Sequence, residues 1–163
     1  MTRRRWLGAM GGVLAVAPLA EAFAQDDATW RADLTKARIP SRPASGRLGG
    51  QPFRVDRATF NLRMGILTLQ EGTGRARERS FMIFLFLPNG VAPDEKGYDI
   101  RPHYGQAPHI HVRPGSVGGP YSSGYAMLLE FGKRTGNRLP GKIYLCLPDR
   151  QSFVAGEFTA ILE

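Results

Sequence analysis

The sequence predicts an all-β fold, an antiparallel β-sandwich of about seven strands, Ig-like or similar, with a short helix ahead of it. Three observations lead there. From Gln51 onward the chain is a succession of short apolar or alternating runs punctuated by Gly, Pro and Asn. The gaps between these runs leave no room for crossover helices, which favours antiparallel pairing over βαβ units. No period of about 20 to 50 residues repeats, which argues against a solenoid or a propeller.

The strands are expected in this order. Phe53, Val55, Phe60 and Leu62 introduce a first hairpin arm, and Gly65 leads into Ile66-Leu67-Thr68-Leu69, ended by Gly72 and Gly74. Ser80 to Leu87, the most hydrophobic segment after the leader, is followed by Pro88-Asn89-Gly90. Its length and composition suit a central strand buried on both faces. Ala107 to Val112, Tyr125 to Phe131, Lys142 to Leu147 and Phe153 to Leu162 complete the set. Arg138-Leu139-Pro140-Gly141 is expected as a tight turn leading into the Lys142 strand, and Asp149 to Ser152 as the turn of a closing hairpin.

Upstream, Asp26 or Asp27 can cap a short helix through Ala28, Trp30, Ala32, Leu34 and Ala37, ended by Pro40. Pro40 to Gly46 then reads as a linker. Residues 1–24 have the layout of a cleavable leader: Arg3-Arg4-Arg5, an apolar run from Gly8 to Ala20, and Ala22-Phe23-Ala24 at the cleavage site. The paired arginines followed by Trp6 and Leu7, and the Gly- and Ala-rich apolar run, resemble a twin-arginine signal. That resemblance implies the Tat translocase as a partner during export and a periplasmic or secreted location. A general secretory signal is the alternative, since three arginines suit its n-region too. The apolar run falls short of the about 20 residues a bilayer requires, so no permanent membrane span is expected. The domain organisation is thus a leader at 1–24, a short helix and linker at 25–46, and a β-sandwich domain at 47–163.

Without the leader, 139 residues remain, enough for one domain with a real core. The leader holds three arginines and one glutamate, so the net charge of +8 becomes +6. The positive residues, among them Arg75, Arg77, Arg79, Arg101, Arg113, Lys133, Arg134 and Arg138, are scattered through loops with few aromatic neighbours. They read as solvated surface, and nucleic acid is not an expected partner. Cys146 is the sole cysteine, so no intramolecular disulfide can form. Its apolar surroundings, Ile143 to Leu147, mark it as a small packing residue rather than a reactive thiol.

The chemistry-bearing residues concentrate in one window. His103, His109 and His111 are the only histidines. If Ala107 to Val112 is extended, His109 and His111 project from one face with their Cα atoms roughly 7 Å apart, close enough to share a metal ion. Gly105 allows His103 to fold back as a third ligand. Three neutral imidazoles with an open position suit a divalent metal such as Zn, Cu or Fe as cofactor. The alternative is a surface strand whose histidines only hydrogen-bond to nearby loops. Nearby acids are limited to Asp99 and, across the sheet, Glu130.

Ala107-Pro108-His109-Ile110-His111-Val112 resembles the iron-binding His-Ile-His strand of the intradiol ring-cleavage dioxygenases, which are β-sandwiches. The match covers about six residues. That family's iron also takes two tyrosines and has an arginine just before the histidine pair. Here Tyr98 and Tyr104 stand at other distances, no tyrosine lies between residues 25 and 97, and Gln106 occupies the arginine's place. A longer resemblance is to an uncharacterised set of exported bacterial β-sandwich domains. It is carried by Gly50-Gln51-Pro52-Phe53, Gly65 to Leu69, Phe81 to Leu85, Pro140 to Asp149, and Val154-Ala155-Gly156-Glu157-Phe158. These are mainly core and turn positions, and they imply a shared fold without an activity.

Other catalytic templates are missing. Ser116, Ser122 and Ser123 lie in a Gly-rich loop without the G-x-S-x-G elbow, and no phosphate-binding glycine loop precedes a helix. Asp94, Glu95 and Asp149 sit where turns explain them. The function expected is therefore an exported, non-enzymatic binding module that holds a divalent metal or a small molecule or envelope ligand beside the His-x-His strand. Tyr98, Tyr104 and Tyr121 would supply amphipathic contact surface from the flanking loops, with a role as rim residues of the sandwich as the alternative. A metal-dependent enzyme, an oxygenase or hydrolase, and a structural envelope-interaction protein are the competing classes.

Overall fold

The computed structural model describes residues 28–73, 79–93, 95, 97–100, 108–114 and 120–163. The leader at 1–24, Asp26, Asp27, His103 and Tyr104 lie outside the described residues. Among the described residues there are ten strands: β1 Ser45–Leu48, β2 Gln51–Arg54, β3 Arg57–Asn61, β4 Ile66–Gln70, β5 Ser80–Phe84, β6 Tyr98–Ile100, β7 His109–Arg113, β8 Ala126–Phe131, β9 Arg138–Cys146 and β10 Phe153–Leu162. They form one sheet in the order β6-β8-β9-β10-β3-β4-β5-β7, with β1 branching from β10 and carrying β2.

The all-β expectation holds. The sheet is mixed, however, because β10 runs parallel to β3, pairing Ala160 with Ala58 and Leu162 with Phe60. It also curls into a half-barrel. β3 and β8 are separated by two strands in the ladder, yet Phe60 and Phe131 meet edge to face with centroids 6.4 Å apart. One core cluster collects the inward residues of both halves, including Phe60, Leu67, Leu69, Phe81 and Ile83 on one side and Met127, Leu129, Ile143, Leu145 and Val154 on the other. Period-two alternation produces this: Met127, Leu129 and Phe131 of β8 point in while Leu128 and Glu130 point out.

β10 joins the halves. Along one side it pairs with β9 from Phe153↔Cys146 to Ile161↔Arg138. Along the other it meets β1 at Phe153 to Ala155, then the backbone at Arg42 and Ala44, then β3. Glu157 N–H donates to Arg42 O at 2.7 Å, and Ala44 N–H donates to Glu157 O at 2.9 Å. Gly156 makes the approach feasible. Its φ is 135°, and a Cβ there would overlap the Arg42 carbonyl and the Ala44 backbone. The β9–β10 turn is clamped by Asp149, whose carboxylate accepts from Gln151 N–H, Ser152 N–H and Ser152 Oγ at 2.9, 2.8 and 2.6 Å.

Four expectations need correction. No helix occurs among the described residues, and the segment from Ala28 to Pro40 is instead an extended arm with a single turn. Asp33 Oδ1 accepts from Thr35 N–H at 2.8 Å and Thr35 Oγ1 at 2.5 Å, a local turn that competes with helical pairing. So short a helix gains little from propensity, whereas the outer face of β8, β9 and β10 offers the arm an apolar bed. Trp30, Leu34, Ala37 and Ile39 cover Ala126, Tyr144, Cys146 and Ala155. Trp30 Nε1 donates to Leu147 O at 2.6 Å, Thr29 N–H donates to Tyr144 OH at 3.1 Å, and Tyr144 OH donates to Thr29 O at 2.5 Å.

Second, Arg138 to Gly141 is not a turn. Pro140 and Gly141 lie inside β9, opposite Thr159 and Phe158. Third, β5 is next to the edge strand β7 rather than central, and its Met82 and Phe84 remain half-buried on the outer face. Fourth, Arg79 is not a solvated loop cation. Its guanidinium donates to the carbonyls of Pro52, Leu48 and Gln51 and pairs with Glu71 at 2.8 Å, stapling the β1–β2 hairpin to β5.

Trp30→Ala should lower unfolding stability in urea by about 2 to 4 kcal/mol, through lost ring burial and an orphaned carbonyl, and should expose Cys146 to a thiol reagent. Gly156→Ala should cost about 2 kcal/mol or more by the same measurement, because the strand must retreat from Arg42 and Ala44.

Candidate functional site

β7 forms the margin of the ladder. It pairs with β5 on one side, and on the other Ile110 exchanges two backbone hydrogen bonds of 2.8 Å with Tyr121. Ile110 and Val112 are buried in the main core, which turns His109, His111 and Arg113 to the outer face. His109 is exposed and His111 half-buried. The structure therefore brings these two imidazoles to a common side, as period-two reading expects.

Across the strand pair, Phe84 stands opposite His109 and Met82 opposite His111. The Phe84 ring lies 4.5 Å from that of His111 at 40°, and the Phe86 ring meets His109 edge-on at 4.8 Å and 88°. Phe86 adopts a left-handed φ of 55°, an uncommon and costly conformation for a bulky side chain, and it is 62% exposed. A residue that would ordinarily be buried is thus held outward beside His109.

Phe86 has apolar company. Leu85 N–H donates to Gly65 O at 2.8 Å and Gly90 N–H to Leu62 O at 2.9 Å, so the β3–β4 turn lies against the segment after β5. Met64 on that turn, and Val91 just past it, are 59% and 45% exposed. Together with Phe86 they place the exposed large hydrophobic side chains of the described residues at one end of the sheet, the end where His109 begins β7.

Tyr98 on β6 stands opposite Leu129, and both Tyr98 and Tyr121 are half-buried against the main core cluster. Burial raises the Tyr121 pKa, and the charge of Asp149 adds to the effect. Tyr125 is fully buried, donates its hydroxyl to Pro108 O, and is also shifted upward by burial. Asp99 and Glu130 belong to β6 and β8, at the opposite margin of the ladder from β7. Among the described residues no three His, Cys, Asp or Glu side chains converge as a metal-binding group.

A feature the sequence reading missed lies where residues 41–43 run beside β10 and face β3, β8 and β9. A cleft of about 590 Å³ is lined by Arg42, Glu130, Lys142 and Glu157 over Phe131 and Phe158. Lys142 and Glu157 pair at 2.9 Å, which raises the lysine's pKa and lowers the glutamate's, in each case chiefly through their shared hydrogen bond. That pair was available from hairpin register once the Asp149 turn was placed. Arg42 was not, because its position depends on the arm's path over β10; its Nε is buried without a hydrogen-bond partner among the described residues.

No protein-family model matches the chain, and comparison with curated proteins and with solved structures finds no match either. Cys146 is 1% exposed under the arm, and burial pushes its thiol up to about 11. The folded chain therefore holds the thiol proton more tightly than the unfolded chain. Stability from this group is whole below pH about 9 and declines as pH rises toward about 11. In urea titrations across that window, Cys146→Ala should show a shallower alkaline loss than the unaltered protein.

Proposed function

We propose that the protein is an exported, non-enzymatic binding module whose working surface is the outer face of β5 and β7, where His109 and His111 hold a metal ion that leaves positions open for a small ligand. One observation carries the reading: two imidazoles share a face of a rigid sheet beside the residues that most conspicuously break the burial rule, Phe86, Met64 and Val91. The N-terminal arm covers the outer face of β8 to β10, so the two outer faces differ in kind. The curled sheet acts as a sandwich in this reading, its halves packed across one core and carrying recognition on an edge. The arginine-rich leader supports export by the twin-arginine route, which admits folded, loaded proteins. The Gly, core and turn residues that resemble those of exported β-sandwich domains support the same assignment.

The test is binding by calorimetry, with Zn(II) as the probe. The unaltered protein should bind one equivalent, and the His109→Ala, His111→Ala double variant should bind at least about a hundredfold more weakly. Both side chains lie on the outer face, so the double variant should lose no more than about 1 kcal/mol of unfolding stability. Equal binding by the two proteins overturns the assignment.

A further inference from the structure

We infer that the preferred ion is monovalent copper and that Met82 supplies a third ligand. This rests on the reading of the β5–β7 face as a metal site and goes beyond it in naming both the ion and a sulfur donor.

The ladder register carries the argument. Across β4, β5 and β7 two rows run over the outer face: Ile66, Phe84 and His109 in one, Thr68, Met82 and His111 in the next. Directly opposed residues have Cβ atoms about 4.5 to 5.5 Å apart, and His109 and His111 are roughly 7 Å apart along β7. Met82 thus joins the two imidazoles on one small patch, and its unbranched, three-bond side chain can swing its sulfur between them. Met82 and His111 are both half-buried, so the ion would sit partly shielded from water. Phe84 and Phe86 flank the imidazoles and add to that shielding.

The donor set selects the ion. Two imidazoles and a thioether are neutral, and the third row of this face, Gln70, Ser80 and Arg113, adds no carboxylate. Hard divalent ions such as Mg and Ca favour carboxylate oxygens, and these rows offer none, only the neutral oxygens of Thr68, Gln70 and Ser80. The cost of desolvating an ion rises with the square of its charge, so without an anionic ligand a dication costs about four times what a monocation does. A soft thioether adds its own preference for Cu(I) over harder ions. Low charge and soft sulfur point the same way.

The experiment is an anaerobic competition in which Cu(I) is offered as its coloured bicinchoninate complex, with Zn(II) calorimetry run in parallel. The unaltered protein should withdraw one equivalent of copper. Met82→Leu keeps the volume and apolar character of the side chain, so it should fold normally. It should lose at least about tenfold in Cu(I) affinity while its Zn(II) affinity changes by less than about threefold. X-ray absorption should find a sulfur neighbour of the bound copper in the unaltered protein and none in Met82→Leu. Copper uptake that needs His109 and His111 but is indifferent to Met82→Leu overturns the sulfur ligand and leaves the histidine site standing. Zn(II) binding without copper withdrawal overturns the choice of ion alone. Failure to bind either metal overturns both this inference and the site on which it rests.

Discussion

The two-sided pairing of β10 is the constraint on which the architecture turns. Nine consecutive register positions tie it to β9, and its other edge is shared among β1, the Arg42 to Ala44 backbone and β3. A strand whose edge is divided in this way must let different segments approach closely, and Gly156 is the residue without a Cβ at the point of closest approach. In the sheet order of the described residues β10 stands between β3, β4, β5 and β7 on one side and β9 and β8 on the other, so its pairing joins the two halves. The single core then follows from curling, which sets Phe60 of β3 against Phe131 of β8.

The same strand decides which outer surface is covered. Its outward residues Phe153 and Ala155, with Tyr144 and Cys146 of β9, make an apolar face too large to leave wet, and the arm lies across it. Hydrogen bonds at Thr29, Trp30 and Arg31 fix the arm to Tyr144, Leu147 and Cys146. The outer face at the far margin is treated differently. There Met82, Phe84, His109 and His111 keep partial exposure, and Phe86 is turned outward at a conformational cost. Apolar burial is thus concentrated on one outer face, while the other keeps its aromatic and imidazole side chains partly in water.

Much of the local structure was legible along the chain. The runs at Ile66 to Leu69, Tyr125 to Phe131 and Phe153 to Leu162 are strands because alternation and Gly or Pro punctuation are local signals. The Asp149 turn was readable from its residue types, and the shared face of His109 and His111 from a spacing of two. The short strands β1 and β6 were not legible. Ser45-Gly46-Arg47-Leu48 and Tyr98-Asp99-Ile100 have little alternation of their own and are extended because β10 and β8 present open edges to them. The helix expected after Asp27 failed for a related reason: tertiary burial of Trp30 and Leu34 outweighed a weak local preference.

By itself the sequence determined most of the longer strands, the Asp149 turn, and which side chains of one strand share a side, since each depends on residues a few positions apart. It determined the two imidazoles as a pair. Only the tertiary structure decided that β3 lies parallel to β10, that the arm is extended, and that Met82 stands opposite His111 with Phe86 beside His109. Those facts depend on register between segments distant in sequence. Register is chosen by the whole core at once, because a slip of one residue would turn every buried side chain of a strand toward water.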